Sequence, residues 1–242
     1  METLDQRGNV ESTATLPGGG PLLFDGQRLD QPEFHERYLR MPEDFRAELI
    51  DGIVYTMNMA LHPDHAGPEA DVIGLLFSYR VETPGTVVHC EATTKLGARS
   101  EVQPDAVLQL DPAYGGRTRT DAKGYTVNAP ELVVEVALSS LRIDLNQKKK
   151  IYEEAGALEY VVFDVSHRTF HWFALVDGRF QPLPADADGV FRSRAFPGLW
   201  IDGPAFVGGE LARLMATLRL GLASAEHADF VARLAQYRAN RP

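Results

Sequence analysis

The chain has 242 residues, 44% hydrophobic and 24% charged, with Gly 21 and Pro 15. Those proportions belong to a globular protein and exclude collagen-like, coiled-coil and wholly disordered architectures. Lys+Arg 24 against Asp+Glu 34 gives a net charge of −10, which argues against a protein coated in phosphate-binding surface. The lone cysteine, Cys90, rules out an intrachain disulfide or a cysteine-rich zinc site and fits a reducing cytoplasm. The N-terminus lacks an apolar signal-like region, and no stretch approaches the ~20 apolar residues of a membrane span. The expectation is a soluble cytoplasmic protein with no membrane partner.

Residues 1–22 are polar and include Pro17-Gly18-Gly19-Gly20-Pro21, so they read as a tail. Asp30 can cap a short helix that carries Pro32 in its first turn. Residues 47–59 are strand-like on both sides of Asp51-Gly52, a strong hairpin-turn signal. Apolar spacing over 69–81 predicts a packed helix that stops at Thr83-Pro84-Gly85. Strand candidates follow at 86–96, 105–110 and 131–138, with a long basic loop at 111–128. Asp144 opens a helix ending at Ala155-Gly156, and 158–165 reads as a strand covered on both faces. Residues 169–183 form a second hairpin about Asp177-Gly178, and amphipathic helices are predicted at 209–220 and 225–238. The expected class is α/β (α+β): a domain over 23–205 and a helical extension of two C-terminal helices over 206–242.

Charge is unevenly placed. Acids crowd the chain before residue 70, whereas Arg117, Arg119, Lys123, Arg142, Lys148, Lys149 and Lys150 make a locally basic run. A solvated face is the bland reading of such a run.

Two carboxylates stand out by their settings. Asp105 begins a strand after Pro104, and Glu135 lies inside Leu132-Val133-Val134-Glu135-Val136-Ala137. A carboxylate among valines on a buried strand costs several kcal/mol unless it is paired or bound to metal. One carboxylate from each of two adjacent strands makes an oxygen-rich site suited to magnesium, which can bind a phosphodiester and activate water. Lys148 shares a helical face with Asp144 and Tyr152, and its ammonium could hold the attacking water and neutralise charge on phosphorus.

Pro104-Asp105 followed by Glu135-Val136-Ala137 resembles the PD-(D/E)XK nuclease superfamily. More closely, the chain resembles the Uma-two family of restriction-endonuclease-like proteins. The stretches that carry the likeness are AELIDGIV (47–54), His65, QPDAVL (103–108), ELVVEV (131–136) and DLNQKKKIYEEAGALEYVVFD (144–164). The resemblance implies the restriction-endonuclease-like fold, a mixed central sheet flanked by helices, and magnesium- or manganese-dependent cleavage of DNA. It implies Asp105 and Glu135 as metal ligands and Glu48 as an additional catalytic acid. The superfamily's usual lysine position, two residues after the Glu, is Ala137 here, and in the Uma-like pattern the lysine comes from the next helix, at Lys148. The chain also departs from the family's Ser-Pro-Ser, reading Leu138-Ser139-Ser140.

Arg117, Arg119 and Lys123 are expected to contact the DNA backbone, with Lys149 and Lys150 as further phosphate contacts. A two-fold homodimer would let two sites address both strands. Two other readings stay open: an inactive nuclease-fold module that binds nucleic acid or a protein partner, and a hydrolase of smaller phosphodiesters. His65 is expected as a capping or surface histidine, Tyr152 and Tyr160 as core residues, and Cys90 as an inert buried thiol.

Overall fold

The computed structural model describes residues 22–57 and 62–240. The expected tail, except Leu22, and the end of the second expected strand, at 58–59, lie outside the described residues. Helix α1, Gln31–Tyr38, starts as expected: the Asp30 side chain accepts the Glu33 N–H, and proline occupies the first turn. Strands β1 (Arg46–Ile50) and β2 (Ile53–Met57) pair antiparallel. They are joined by Asp51 at φ 49° and Gly52 at φ 79°, the left-handed pair that a two-residue hairpin needs.

Helix α2 runs Pro63–Glu82, six residues longer at its start than the apolar spacing indicates. Pro68 sits inside the helix, where it forgoes one backbone donor. Strands β3 (Thr86–Cys90) and β4 (Thr94–Leu96) replace the single strand expected over 86–96. Glu91 breaks the run with φ 48°, and the two halves enter different sheets. Cys90, at the end of β3, is exposed, contrary to the buried thiol expected.

The remaining strands are β5 (Ser100–Val102), β6 (Ala106–Leu110), β7 (Arg119–Thr120), β8 (Thr126–Val127), β9 (Leu132–Ala137), β10 (Glu159–Asp164), β11 (Thr169–Val176), β12 (Arg179–Pro182), β13 (Val190–Arg192) and β14 (Trp200–Asp202). A six-stranded sheet in the order β12-β11-β10-β9-β6-β3 is mixed, because β9 and β10 are parallel while its other neighbours are antiparallel. A parallel pair requires a crossover. Here the crossover carries α3 (Leu141–Ile143), a π-helical turn (Asp144–Lys148) and α4 (Lys149–Ala155). A second six-stranded sheet has the order β2-β1-β5-β4-β8-β7, and β13 pairs with β14 alone.

Every residue of β9 and β10 is buried, as their continuous apolar runs imply. Alternation along β9 sends Leu132, Val134 and Val136 to a core with α2 and the C-terminal helices α5 (Gly203–Gly208), α6 (Leu211–Leu222) and α7 (Ala225–Ala239). Val133 and Ala137 face the other way, into a core with Tyr152, Tyr160 and the second sheet's Ile50 and Val102. Glu135 lies between those two residues, so it projects to the side where the two sheets meet. The architecture is the expected α+β class, with mixed sheets flanked by helices. Among the described residues, no helix is long and apolar enough to cross a membrane.

The turn after β6 is tight. A Cβ on Gly116 would lie 1.8 Å from the Leu110 carbonyl oxygen, which is backbone and cannot swing away. Gly116→Ala is therefore expected to destabilise the fold by on the order of 2 kcal/mol or more. Urea unfolding with an unchanged midpoint would contradict this.

Candidate active site

The site is built where β1, β6 and β9 meet the crossover helix. The β6–β9 ladder pairs Ala106 with Val134, so one step beyond it Asp105 stands across from Glu135. Asp105 Oδ2 accepts the Val136 N–H at 2.6 Å, which fixes its carboxylate against the neighbouring strand. Glu48 comes from β1 in the other sheet, is 2% exposed, and accepts the Gln103 N–H at 2.7 Å. Lys148 closes the π-helical turn. Its Nζ lies 2.9 Å from Glu48 Oε2, 3.1 Å from Glu135 Oε1 and 3.9 Å from Asp144 Oδ1. Single widened turns of this kind recur at functional sites; this one directs both Asp144 and Lys148 inward.

All four expected catalytic residues, Asp105, Glu135, Lys148 and Glu48, thus converge on one location. Three further groups join them. Tyr152, expected as core, is fully buried and donates its hydroxyl to Glu135 Oε1 at 3.2 Å. Tyr160, also core, donates to the Asp144 carbonyl at 3.0 Å. His65 is neither cap nor free surface: its Nε2 is 3.7 Å from Asp105 Oδ2, and its Nδ1 is 3.5 Å from Glu69 Oε2. The α2 cap is His62 instead. Asp144, expected to open the helix on the face it shares with Lys148, is buried here and joins the cluster.

The electrostatics follow from burial. Glu48, Asp105, Glu135 and Asp144 act together on one buried ammonium, an excess of negative charge. Burial drives the Glu135 carboxyl well above its usual range, with Lys148 pulling the other way. Burial likewise pushes Asp144 up to about 6. For Lys148, burial opposes the charge, but Glu135, Glu48, Asp144 and Asp105 outweigh it and keep the ammonium firmly protonated. The Asp105 carboxylate raises the His65 imidazole above its usual value.

Because Asp144 is harder to ionise folded than unfolded, its contribution is whole below about pH 4 and is lost as pH rises through about 6. Asp144→Asn is therefore expected to be more stable than wild type at pH 8 by on the order of 2 kcal/mol, the gain vanishing towards pH 4. Thermal unfolding at the two pH values measures it.

The donor set suits a hard divalent cation. Asp105 and Glu135 are carboxylates side by side on adjacent strands, and no described residue hydrogen-bonds Asp105 Oδ1 or Glu135 Oε2. No group of three or more His, Cys, Asp or Glu side chains among the described residues is spaced to hold an ion. Magnesium, however, needs only one or two protein carboxylates, with water and substrate phosphate filling its other positions.

The expected DNA-contacting cations are dispersed. Lys150 is tied to Asp51 at 2.9 Å, and Lys149 Nζ sits 3.8 Å over the Phe173 ring. Arg117 lies 3.6 Å from Glu131, whereas Arg119 and Lys123 are exposed on and beside the β7–β8 hairpin.

A model of the Uma2 family, described as "Putative restriction endonuclease", matches residues 32–204. The fold is also similar to a solved structure from Anabaena variabilis ATCC 29413, titled as a "putative nuclease belonging to DUF820". That likeness has a TM-score of 0.51 at 13% identity, and covers 76% of this chain and 97% of the other. No curated protein matches by sequence. Since the matched range spans well over half of the chain, the chain belongs to the Uma2 family.

Proposed function

We propose that this protein is a metal-dependent endonuclease that hydrolyses phosphodiester bonds in DNA. The observation that carries the reading is the convergence of Asp105 and Glu135 from adjacent strands beside the buried Lys148 ammonium. Membership of a family described as restriction endonucleases supports it. Asp105 and Glu135 would hold magnesium or manganese, which supplies a Lewis acid for the phosphate and lowers the pKa of a bound water.

The chain's own residues supply the rest. Lys148 brings fixed positive charge to a phosphate that becomes more negative as water adds. Glu48 and Glu135 orient that ammonium from two sides, and the Tyr152 hydroxyl fixes the Glu135 rotamer. Arg119 and Lys123, both exposed, would contact the DNA backbone, and a two-fold homodimer would present two sites to a duplex.

The test is cleavage of supercoiled plasmid and of single-stranded DNA by wild-type protein with magnesium, with manganese and with EDTA. Nicking or linearisation that requires metal is expected. Full cleavage in EDTA would remove the metal from the account. A folded protein that binds DNA and leaves every substrate intact would favour an inactive nuclease-fold module instead.

A further inference from the structure

A cleft of about 350 Å³ opens between the β3–β6 edge of one sheet and the β7–β8 hairpin of the other. His89, Thr93, Gln109, Thr118, Arg119 and Tyr125 line it. Two of these side chains carry polar groups that bond no described residue, and one of them, the Thr118 hydroxyl, is buried. Gln109 is 7% exposed and its amide makes no hydrogen bond among the described residues. Thr118 is 2% exposed and its hydroxyl has none either. A buried hydroxyl is ordinarily satisfied, so the open Thr118 hydroxyl, beside a Gln109 amide free to bond a ligand, marks a place that a polar ligand completes.

The cleft's position relates it to the carboxylates. Asp105, Val107 and Gln109 alternate onto one face of the same strand segment, the face that also bears Glu135 and Lys148. His89 is paired with Val107, two residues from Asp105, and Gln109 is four residues away. At ~3.3 Å per residue the cleft lies roughly 7–13 Å along the sheet from Asp105. That is about two to four base steps at the ~3.4 Å rise of a DNA strand.

Its chemistry favours an uncharged, planar hydrogen-bonding ligand over a phosphate. Gln109 offers both donor and acceptor, the pattern that reads the edge of a base. Burial holds the His89 imidazole below its usual range, so the ring is neutral at physiological pH. The one cation, Arg119, spends Nη1 on the Gly116 and Thr118 carbonyls, and Asp111 also lines the cleft. The size is at the small end of the roughly 300–1,000 Å³ typical of small-ligand pockets.

We propose that this cleft receives one unpaired nucleobase of the substrate strand, a few nucleotides from the bond that is cut. The inference rests on the nuclease reading above. It makes DNA with an unpaired base in that interval the preferred substrate, since a base already out of the stack needs no extrusion.

The test uses full-length protein and DNA carrying 2-aminopurine, a base whose fluorescence rises when it leaves the stack, at each position flanking the cut. With calcium replacing magnesium, binding followed by anisotropy is expected to raise fluorescence at one position two to four nucleotides from the cut. With magnesium, kcat/KM for DNA carrying a mismatch there is expected to exceed that for paired DNA. Gln109→Leu should reduce this ratio about ten-fold, the size of one lost bidentate base contact. Thr118→Val, nearly isosteric, repeats the test should the leucine variant fail to fold. Metal-dependent cleavage with no fluorescence change and an unchanged ratio in both variants would overturn the cleft and leave the nuclease standing. Neither binding nor cleavage by wild type would overturn both. A free nucleoside monophosphate that binds without competing with DNA would assign the cleft to a soluble nucleotide, and would also overturn the proposal.

Discussion

Glu135→Gln is expected to lower DNA cleavage by roughly 10³-fold or more while leaving the fold intact. An effect of that size corresponds to ~4 kcal/mol in the transition state, the scale associated with removing a key electrostatic group. The amide keeps the shape of the carboxylate and can still accept from Lys148 Nζ and the Tyr152 hydroxyl. What it loses is the charge that would hold the cation next to Asp105. Burial already works against that charge, so neutralising it carries little structural penalty. Near-wild-type circular dichroism and melting, with cleavage lost, is the expected combination. Cleavage within a few-fold of wild type would remove Glu135 from the site.

Lys148→Met should behave in the opposite way, as a stability variant first. Lys148 is 6% exposed and its ammonium is the cation shared by Glu48, Glu135 and Asp144. Removing one partner from a buried ionic cluster costs about 3–5 kcal/mol, because the remaining charges are left uncompensated. The loss has a characteristic pH dependence. Glu135 and Asp144 already have folded pKa values raised by burial, and without Lys148 they rise further. Stability that depends on keeping them protonated is present at low pH and lost as pH rises through those values. The deficit of the variant should therefore be small near pH 4 and grow to its full size by pH 8. A deficit that is the same at both pH values would mean that Lys148 contributes packing rather than charge.

The two principal carboxylates were legible because they break a pattern. Glu135 interrupts a run of valines, and an ionised group there demands a reason whatever the fold. Asp105 becomes meaningful beside it once the strands pair. Lys148 was harder to single out. Three consecutive lysines look like a wet face, and only the helix direction distinguishes the buried Lys148 from Lys149 and Lys150. Non-local pairs left no signal. His35 is on a polar helix, yet it is buried with its Nδ1 2.8 Å from Glu101, a residue on the short, unanticipated β5. Gln109 gives little signal inside Ala106-Val107-Leu108-Gln109-Leu110, because a neutral amide in an apolar strand is less conspicuous than a carboxylate. The division of 86–96 between two sheets depends on one left-handed residue, Glu91, which has no glycine to announce it.

The central claim is a metal-dependent phosphodiesterase centred on Asp105 and Glu135. Its most direct test compares wild type and Asp105→Ala, purified identically, on supercoiled plasmid with magnesium. The paired comparison matters because a contaminating nuclease would accompany both preparations. Metal-dependent cleavage by wild type and none by the folded variant is the expected result. Equal cleavage by the two proteins would contradict it.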